Sequence, residues 1–164
     1  MKIWKVCEMM IRLLDESDIP SVLEICREIR EHHRRVLGGY FKSIDEDYER
    51  SSLVKALDDE NSPVYVAETE DGKIAGMVQA AFEVRPYLEQ ESFCHIGGLG
   101  VLPGYRRRGI AKALMDRVFE ACRARKITEV TLGVFNRNTG AYKFYEDLGF
   151  LPLEQKMKLD LDRE

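Results

Sequence analysis

Cysteine is sparse in this sequence and never paired. Its four cysteines, Cys7, Cys26, Cys94 and Cys122, stand far apart with no CxxC pair among them. That spacing excludes a zinc ribbon or a disulfide scaffold, so no metal site is expected and a reducing, cytoplasmic compartment is. Basic charge is also in deficit: 25 lysines and arginines face 29 aspartates and glutamates, for a net charge of −4. Nucleic acid is therefore not an expected partner, since that role calls for a broad basic face. No apolar run reaches the length that crosses a bilayer. The opening "MKIWKVCEMMIRLL" has lysines but no long uncharged stretch, so it does not read as a secretory leader, and no membrane association is expected. Internal repeats and low-complexity segments are absent too.

What is present is a chain of 164 residues, 45% hydrophobic and 33% charged, long enough for one domain, 1–164, with a real core. Residues 1–9 read either as an N-terminal extension or as a longer first strand. "IRLLDESDIPSVLEICREIREHHRRVL" reads as a strand and then a helix, with Asp18 as N-cap, Pro20 in the first turn and an end at Gly38-Gly39. Val22, Ile25, Cys26, Ile29 and Val36 form its apolar stripe, and Glu24, Arg27, Glu28 and Glu31 face outward. A more acidic helix covers about 45–57. Two β-rich runs flank Asp71-Gly72, a hairpin signal, and "FCHIGGLGV" is a further strand. A helix is expected from about Arg107 to Arg125, a strand at "ITEVTLGVF", and a short helix at "NTGAYKFYEDLG" closed by Gly149. Clean alternation in "LPLEQKMKLDL" predicts a last strand. The sum is an α/β or α+β sandwich, one mixed sheet of about six strands with helices on both faces.

The chemistry is concentrated between Cys94 and Phe150. A strand ends at Pro103, and a glycine-containing turn, "GYRRRGIAKAL", opens a helix. The first turn of a helix carries unpartnered N–H groups and partial positive charge, which suits an anion when glycine lets the backbone approach. Gly109 and the small Ala111 give that access. The string GxxxxGK followed by Ser or Thr is missing, which excludes a Walker A loop, and "GLGVLPG" has Pro103 where a dinucleotide fingerprint needs its third glycine.

The pattern Arg106-x-x-Gly109-x-Ala111 resembles the coenzyme A motif of the GNAT superfamily of N-acetyltransferases, [Q/R]-x-x-G-x-[G/A]. "NTGAYKFYEDLGF" is similar to that family's N-x-x-A-x-x-[L/F]-Y-x-x-x-G-F segment, matching at Asn138, Ala141, Phe144, Tyr145, Gly149 and Phe150. The resemblance implies a mostly antiparallel sheet of six or seven strands and acetyl-CoA as donor. It also implies that the backbone of Leu99, Gly100 and Val101 pairs with the pantetheine arm. Arg106 then starts the turn, and Arg107, Arg108, Gly109, Ile110, Ala111 and Lys112 wrap the pyrophosphate. A plain kink in a packed strand is the alternative for glycines 97, 98 and 100.

By the same resemblance Tyr145 donates the proton to the departing thiolate, and Asn138, two helical turns earlier, also addresses the cofactor. A packing tyrosine and a simple N-cap are the alternatives. His95 is the candidate base; counting by twos puts it on one strand side with Gly97, Leu99 and Val101. A structural histidine, with deprotonation through water, stays open, and Glu83 and Glu91 are lesser candidates. Tyr40 and Phe41 lie where the acceptor pocket is shaped in the resembling family, and His32, His33, Arg34 and Arg35 read as a helix-end cluster. The expected acceptor is a small amine, with a protein N terminus or lysine, or a non-catalytic CoA-binding module, as alternatives. A homodimer through the C-terminal strand fits the pattern.

Overall fold

The computed structural model describes residues 4–5 and 9–161. Cys7 and most of the stretch read as an N-terminal extension lie outside them. The chain divides after Gly133 into two compact units. The first holds a sheet of six strands in the order β1-β2-β3-β4-β5-β6. These are β1 (Trp4–Lys5), β2 (Met9–Leu13), β3 (Val64–Thr69), β4 (Ile74–Val84), β5 (Ser92–Val101) and β6 (Glu129–Leu132). All neighbours are antiparallel except β5 and β6, which run parallel. The mixed, mostly antiparallel sheet is the expected one. Five of its strands are of ordinary length, and the two-residue β1 pairs Trp4 with Ile11, so that part of the N-terminal stretch lengthens the sheet.

Helices α1 (Ile19–Leu37) and α2 (Glu46–Leu57) cover one face, and α3 (Ile110–Ala124) covers the other. On the first face Val22, Leu23, Ile25 and Leu53 pack with Val64, Val66, Ile74 and Met77, all buried. Each such side chain removed from water contributes about 1.5–3 kcal/mol. On the second face the Arg117 guanidinium lies 4.6 Å from the Tyr65 ring centre and that of Arg125 lies 4.3 Å from Phe82. The hairpin at Asp71-Gly72 forms as expected, with Gly72 at φ 77.

Asp18 stands at the N-cap position of α1, as read, but its side chain does not cap that helix. Asp15 accepts from the Ser17 N–H at 3.0 Å and caps a short 3₁₀ turn, 16–18. Asp18 is instead buried, and its carboxylate takes two hydrogen bonds from Arg12, at 2.6 and 2.9 Å, and one from the Asp15 N–H at 2.8 Å. Arg12 also donates from Nε to Glu68 at 2.6 Å. Burial works to raise the Asp18 carboxyl, but Arg12 and the Asp15 N–H outweigh it and hold it below the usual range. The helix starts directly after Asp18, but this aspartate makes no side-chain cap to it because its carboxylate serves the ion pair.

A second difference is at the C-terminal end. Residues 151–161 alternate as a strand does, yet they form no strand. Alternation sets which side chains share a face, but a strand also needs an edge to pair with. The start of α3 is shifted as well: Gly109, at φ 81, breaks the helix off from the arginines, which lie in the turn before it.

At Gly100 the helix α1 lies against bare backbone. A Cβ there would stand 2.5 Å from Ile29 Cδ1 and 2.9 Å from Ile25 Cγ2. Gly100→Ala is expected to destabilise the fold by about 1–3 kcal/mol through overpacking. Thermal unfolding should show a lower Tm, and a smaller drop when Ile29 is already alanine. The Arg12 site gives a pH dependence. Because the folded Asp18 carboxyl is depressed, its stabilisation is complete above the unfolded range, near about pH 4, and is lost as pH falls through the folded value. Arg12→Ala should therefore cost about 3 kcal/mol at neutral pH and less in acid, measured by urea unfolding across pH.

Candidate active site

The site in the first unit begins where two strands part. β5 pairs with β4 along its length, but its pairing with β6 runs only from Phe93↔Glu129 to Ile96↔Leu132. From Gly97 to Val101 no described strand covers that edge. The Leu102 N–H donates to the Ala75 carbonyl of the β4 side at 2.9 Å. Alternation then turns the main-chain groups of Leu99 and Val101 to the open edge, where an extended ligand could add as a strand. One of these groups is already engaged: the Val101 carbonyl accepts from Arg106 Nε at 2.9 Å.

The turn after β5 explains the rest. Residues 103–105 form a 3₁₀ turn, Arg107 has φ 59, and Gly109 has φ 81. Two left-handed residues in three fold the chain sharply into α3. The first main-chain bond from the new helix is Ala113 N–H to Gly109 O, at 3.0 Å. The N–H groups of Ile110, Ala111 and Lys112 precede it, so they are the unpartnered donors of a helix start. They fit an anion by geometry alone.

The three arginines differ in what they touch. Arg106 is held by the Val101 carbonyl and by Glu28 of α1, 3.0 Å from its Nη2, and Glu28 also accepts from Arg35 at 3.1 Å. Arg108 stacks over Tyr105, 5.6 Å from the ring centre. The Arg107 side chain is exposed and has no hydrogen bond or ion pair among the described residues. Lys112 pairs with Asp116 at 2.7 Å. The first arginine is thus a brace between α1 and the strand end, and Arg107 is the cation of the turn left to meet a ligand. Sequence reasoning counted Glu28 merely as an outward-facing residue; nothing in the local pattern marks a partner 78 positions away.

His95 lies half-buried on β5, with Nδ1 3.2 Å from Thr131 Oγ1 of β6, which leaves Nε2 to other partners. Its expected place beside Leu99 and Val101 is corrected by the register. Ile96 pairs with Ala80 and Gly98 with Gln79, so Gly97 is an extra residue, a bulge beside the Gln79 side chain. One extra residue reverses the alternation. His95, opposite Ala81, therefore faces away from Leu99, opposite Val78. Of the lesser candidates, Glu83 is paired with Arg85 at 3.2 Å, and Glu91 is exposed.

At the end of α1, His33 stacks on Phe41 with ring centres 5.4 Å apart, Tyr40 meets Phe41 edge-on at 5.2 Å, and Arg30 lies over Phe41 at 5.3 Å. Burial lowers the His33 pKa. Arg34 and Arg35 bond to Glu31 and Glu28, so this helix end is an ion-paired aromatic cluster, not a bare cationic cap.

The second unit carries α4 (Thr139–Asp147). Asn138 is its N-cap, accepting from the Ala141 N–H at 3.4 Å, and Gly149 at φ 94 closes it. Tyr145 packs its ring against Phe144 and Phe150, with centres 5.3 and 5.8 Å away. Burial pushes its phenol above the ordinary range, so the group stays protonated through neutral pH. The motif positions Phe144, Tyr145, Gly149 and Phe150 thus form one packed corner.

Comparison with known proteins gives the same answer from another side. The model of the Acetyltransferase (GNAT) family matches residues 24–150. Glucosamine 6-phosphate N-acetyltransferase of Trypanosoma brucei brucei is 26% identical over 156 residues, which is 95% of this chain and 98% of that one. The tetramutant of the BH1408 protein from Bacillus halodurans superposes with a TM-score of 0.84 at 25% identity, over 92% of this chain and 99% of the other. The fold of AAC(6')-Iy, solved with the bisubstrate analog CoA-S-monomethyl-acetylneamine, matches with a TM-score of 0.71 at 20% identity, over 93% of this chain and 97% of that one. An open β5 edge, a left-handed glycine at the mouth of α3, and a family match running from α1 to Phe150 coincide in one chain: it belongs to the GNAT acetyltransferase family and is an acyltransferase with acetyl-CoA as its donor.

Proposed function

We propose that this enzyme transfers the acetyl group of acetyl-CoA to the primary amine of a small molecule by direct attack. In this reading it works in the cytoplasm as one catalytic domain and as a homodimer. The observation that carries the donor site is the turn 106–112, whose left-handed Gly109 exposes the first N–H groups of α3. Those groups, with Arg107 and Arg108, take the pyrophosphate, while Leu99 to Val101 take the pantetheine arm along the open edge of β5. A small amine is favoured because the Trypanosoma relative is named for glucosamine 6-phosphate and the AAC(6')-Iy ligand carries acetylneamine.

The amine must lose a proton and the thioester sulfur must gain one. The amine nitrogen bonds to the acetyl carbon, the C–S bond breaks, and the electron pair leaves on sulfur. Tyr145 supplies the proton to that sulfur; a phenol kept protonated by burial is suited to the task. His95 takes the amine proton, directly or through water, with Thr131 holding its ring. Asn138 caps α4 and keeps Tyr145 in place from two turns away.

Free thiol followed over a panel of amines and peptides tests the reaction. Release with amino sugars or other small amines is expected; release with peptides alone would move the acceptor to proteins, and none with any acceptor despite CoA binding would make the chain a binding module. Tyr145→Phe should lower kcat about 100-fold with the KM for acetyl-CoA unchanged. Its raised phenol also places the alkaline fall of kcat in the native enzyme above the ordinary tyrosine range, and a pH profile reads this directly.

The turn makes a separate prediction. Gly109→Val should weaken CoA binding at least about tenfold, because a branched residue resists a left-handed φ. Arg107→Ala or Arg108→Ala should weaken it about two- to fivefold, with the loss shrinking in high salt. Titration calorimetry that finds equal losses at all three positions would refute the ranking.

A further inference from the structure

A polar side chain stands in β4 among apolar neighbours. Between Ile74 and Phe82, Gln79 is the only residue whose side chain is polar. It pairs with Val64 of β3 on one side and with Gly98 of β5 on the other. Val64, Val66 and Met77 pack with α1, and alternation puts Gln79 and Ala81 on that same face. The Gln79 side chain is half-buried, and its amide has no hydrogen bond to another described residue. A polar group in such company costs stability unless something partners it.

The surroundings of that amide are bare main chain. A Cβ on Gly97 would lie 3.8 Å from Gln79 Oε1, so the amide reaches the bulge itself. A Cβ on Gly98 would meet nothing within 4 Å, so the space over that residue is open. His95, opposite Ala81, lies on the same face, with Thr131 of β6 beside it. Gln79 and His95 are thus diagonal neighbours, which stand about 7–8 Å apart across a sheet. Ala81, Gly97 and Gly98 place no bulky side chain between them. The result is a recess at the point where β5 leaves β6, floored by small residues and rimmed by an amide and an imidazole.

We infer that Gln79 holds the acceptor: its Oε1 accepts an N–H of the primary amine while His95 takes the proton that is lost. This rests on the acetyl-transfer reading and puts the acceptor nitrogen on the α1 face of the sheet, level with the Gly97 bulge. A neutral primary amine has two N–H bonds and one lone pair. As the lone pair bonds to the acetyl carbon, one proton goes to the base and the other stays in the product. Rotation about the amine's own C–N bond sweeps the lone pair out of line, and a hydrogen bond to the proton that stays prevents it. A neutral amide suits this task. It accepts an N–H without a charge of its own, whereas a carboxylate would favour the ammonium form and oppose the proton loss.

Thiol release with two acceptors tests this: the best small amine of the panel and its N-methyl counterpart, whose one N–H is the one that is lost. Gln79→Met keeps the length of the side chain and removes the amide. It should lower kcat/KM for the primary amine about tenfold and leave that for the N-methyl amine within about twofold. The KM for acetyl-CoA should not change. Gln79→Ala, which adds no bulk, should repeat the pattern. An equal loss on both amines makes Gln79 a packing residue and overturns the inference. Release that both substitutions leave unaltered overturns it too, with the acetyl-transfer reading intact. No release from the native protein with any amine overturns that reading, and this inference falls with it.

Discussion

The architecture of this enzyme depends on where β6 stops. Four residues of parallel pairing hold β5 against it, and from Gly97 onward β5 is paired on one side only among the described strands. Open main-chain groups on a strand edge invite pairing, and a ligand is one partner that can take them. The bulge at Gly97 falls at the same level and turns the strand as its neighbour ends. Next comes the turn that opens α3, and its N–H groups lie just past the end of the same strand. An extended chain with a charged tail, the shape of coenzyme A, matches that succession of strand edge and helix mouth.

Charge plays a smaller part than the three arginines imply. Of Arg106, Arg107 and Arg108, the first is a structural brace to Glu28 and the third lies on an aromatic ring. Exposed ion pairs of this kind contribute little stability in water, typically about 0–1 kcal/mol. Their value is positional. Arg106 joins α1 to the last carbonyl of β5, so the acidic face of the helix and the donor turn share one anchor. The N–H donors of Ile110 to Lys112 do not depend on any side chain; the left-handed glycine ahead of them sets where they point.

Much of this was legible from residues in order. The hairpin at Asp71-Gly72, the glycine before α3 and the cap at Asn138 follow from local rules, because the groups involved lie within four positions of one another. What failed involved longer reach or a broken period. Asp18 keeps the N-cap position of α1, but its carboxylate turns to Arg12 and the Asp15 N–H and not to the first turn of the helix. His95 falls on the opposite face from Leu99 because one unpaired glycine resets the count, and no propensity distinguishes a bulge from a strand glycine. Residues 151–161 have the alternation of a strand without forming one, and pattern alone says nothing about pairing. The aromatic cluster at the end of α1 is the least legible part, since His33, Tyr40 and Phe41 meet through a loop whose course the sequence does not specify.

The contact of Ile25 and Ile29 with Gly100 has a mechanical meaning. Where a side chain stands between helix and strand, it can absorb a small shift by changing rotamer. Here α1 bears on the strand's main chain with no cushion between them. A displacement of β5 normal to the sheet, by a few tenths of an ångström, must be passed to the helix or taken up as strain in two branched side chains. The strand end that borders the donor turn and the helix that leads to the aromatic cluster therefore behave as one rigid lever.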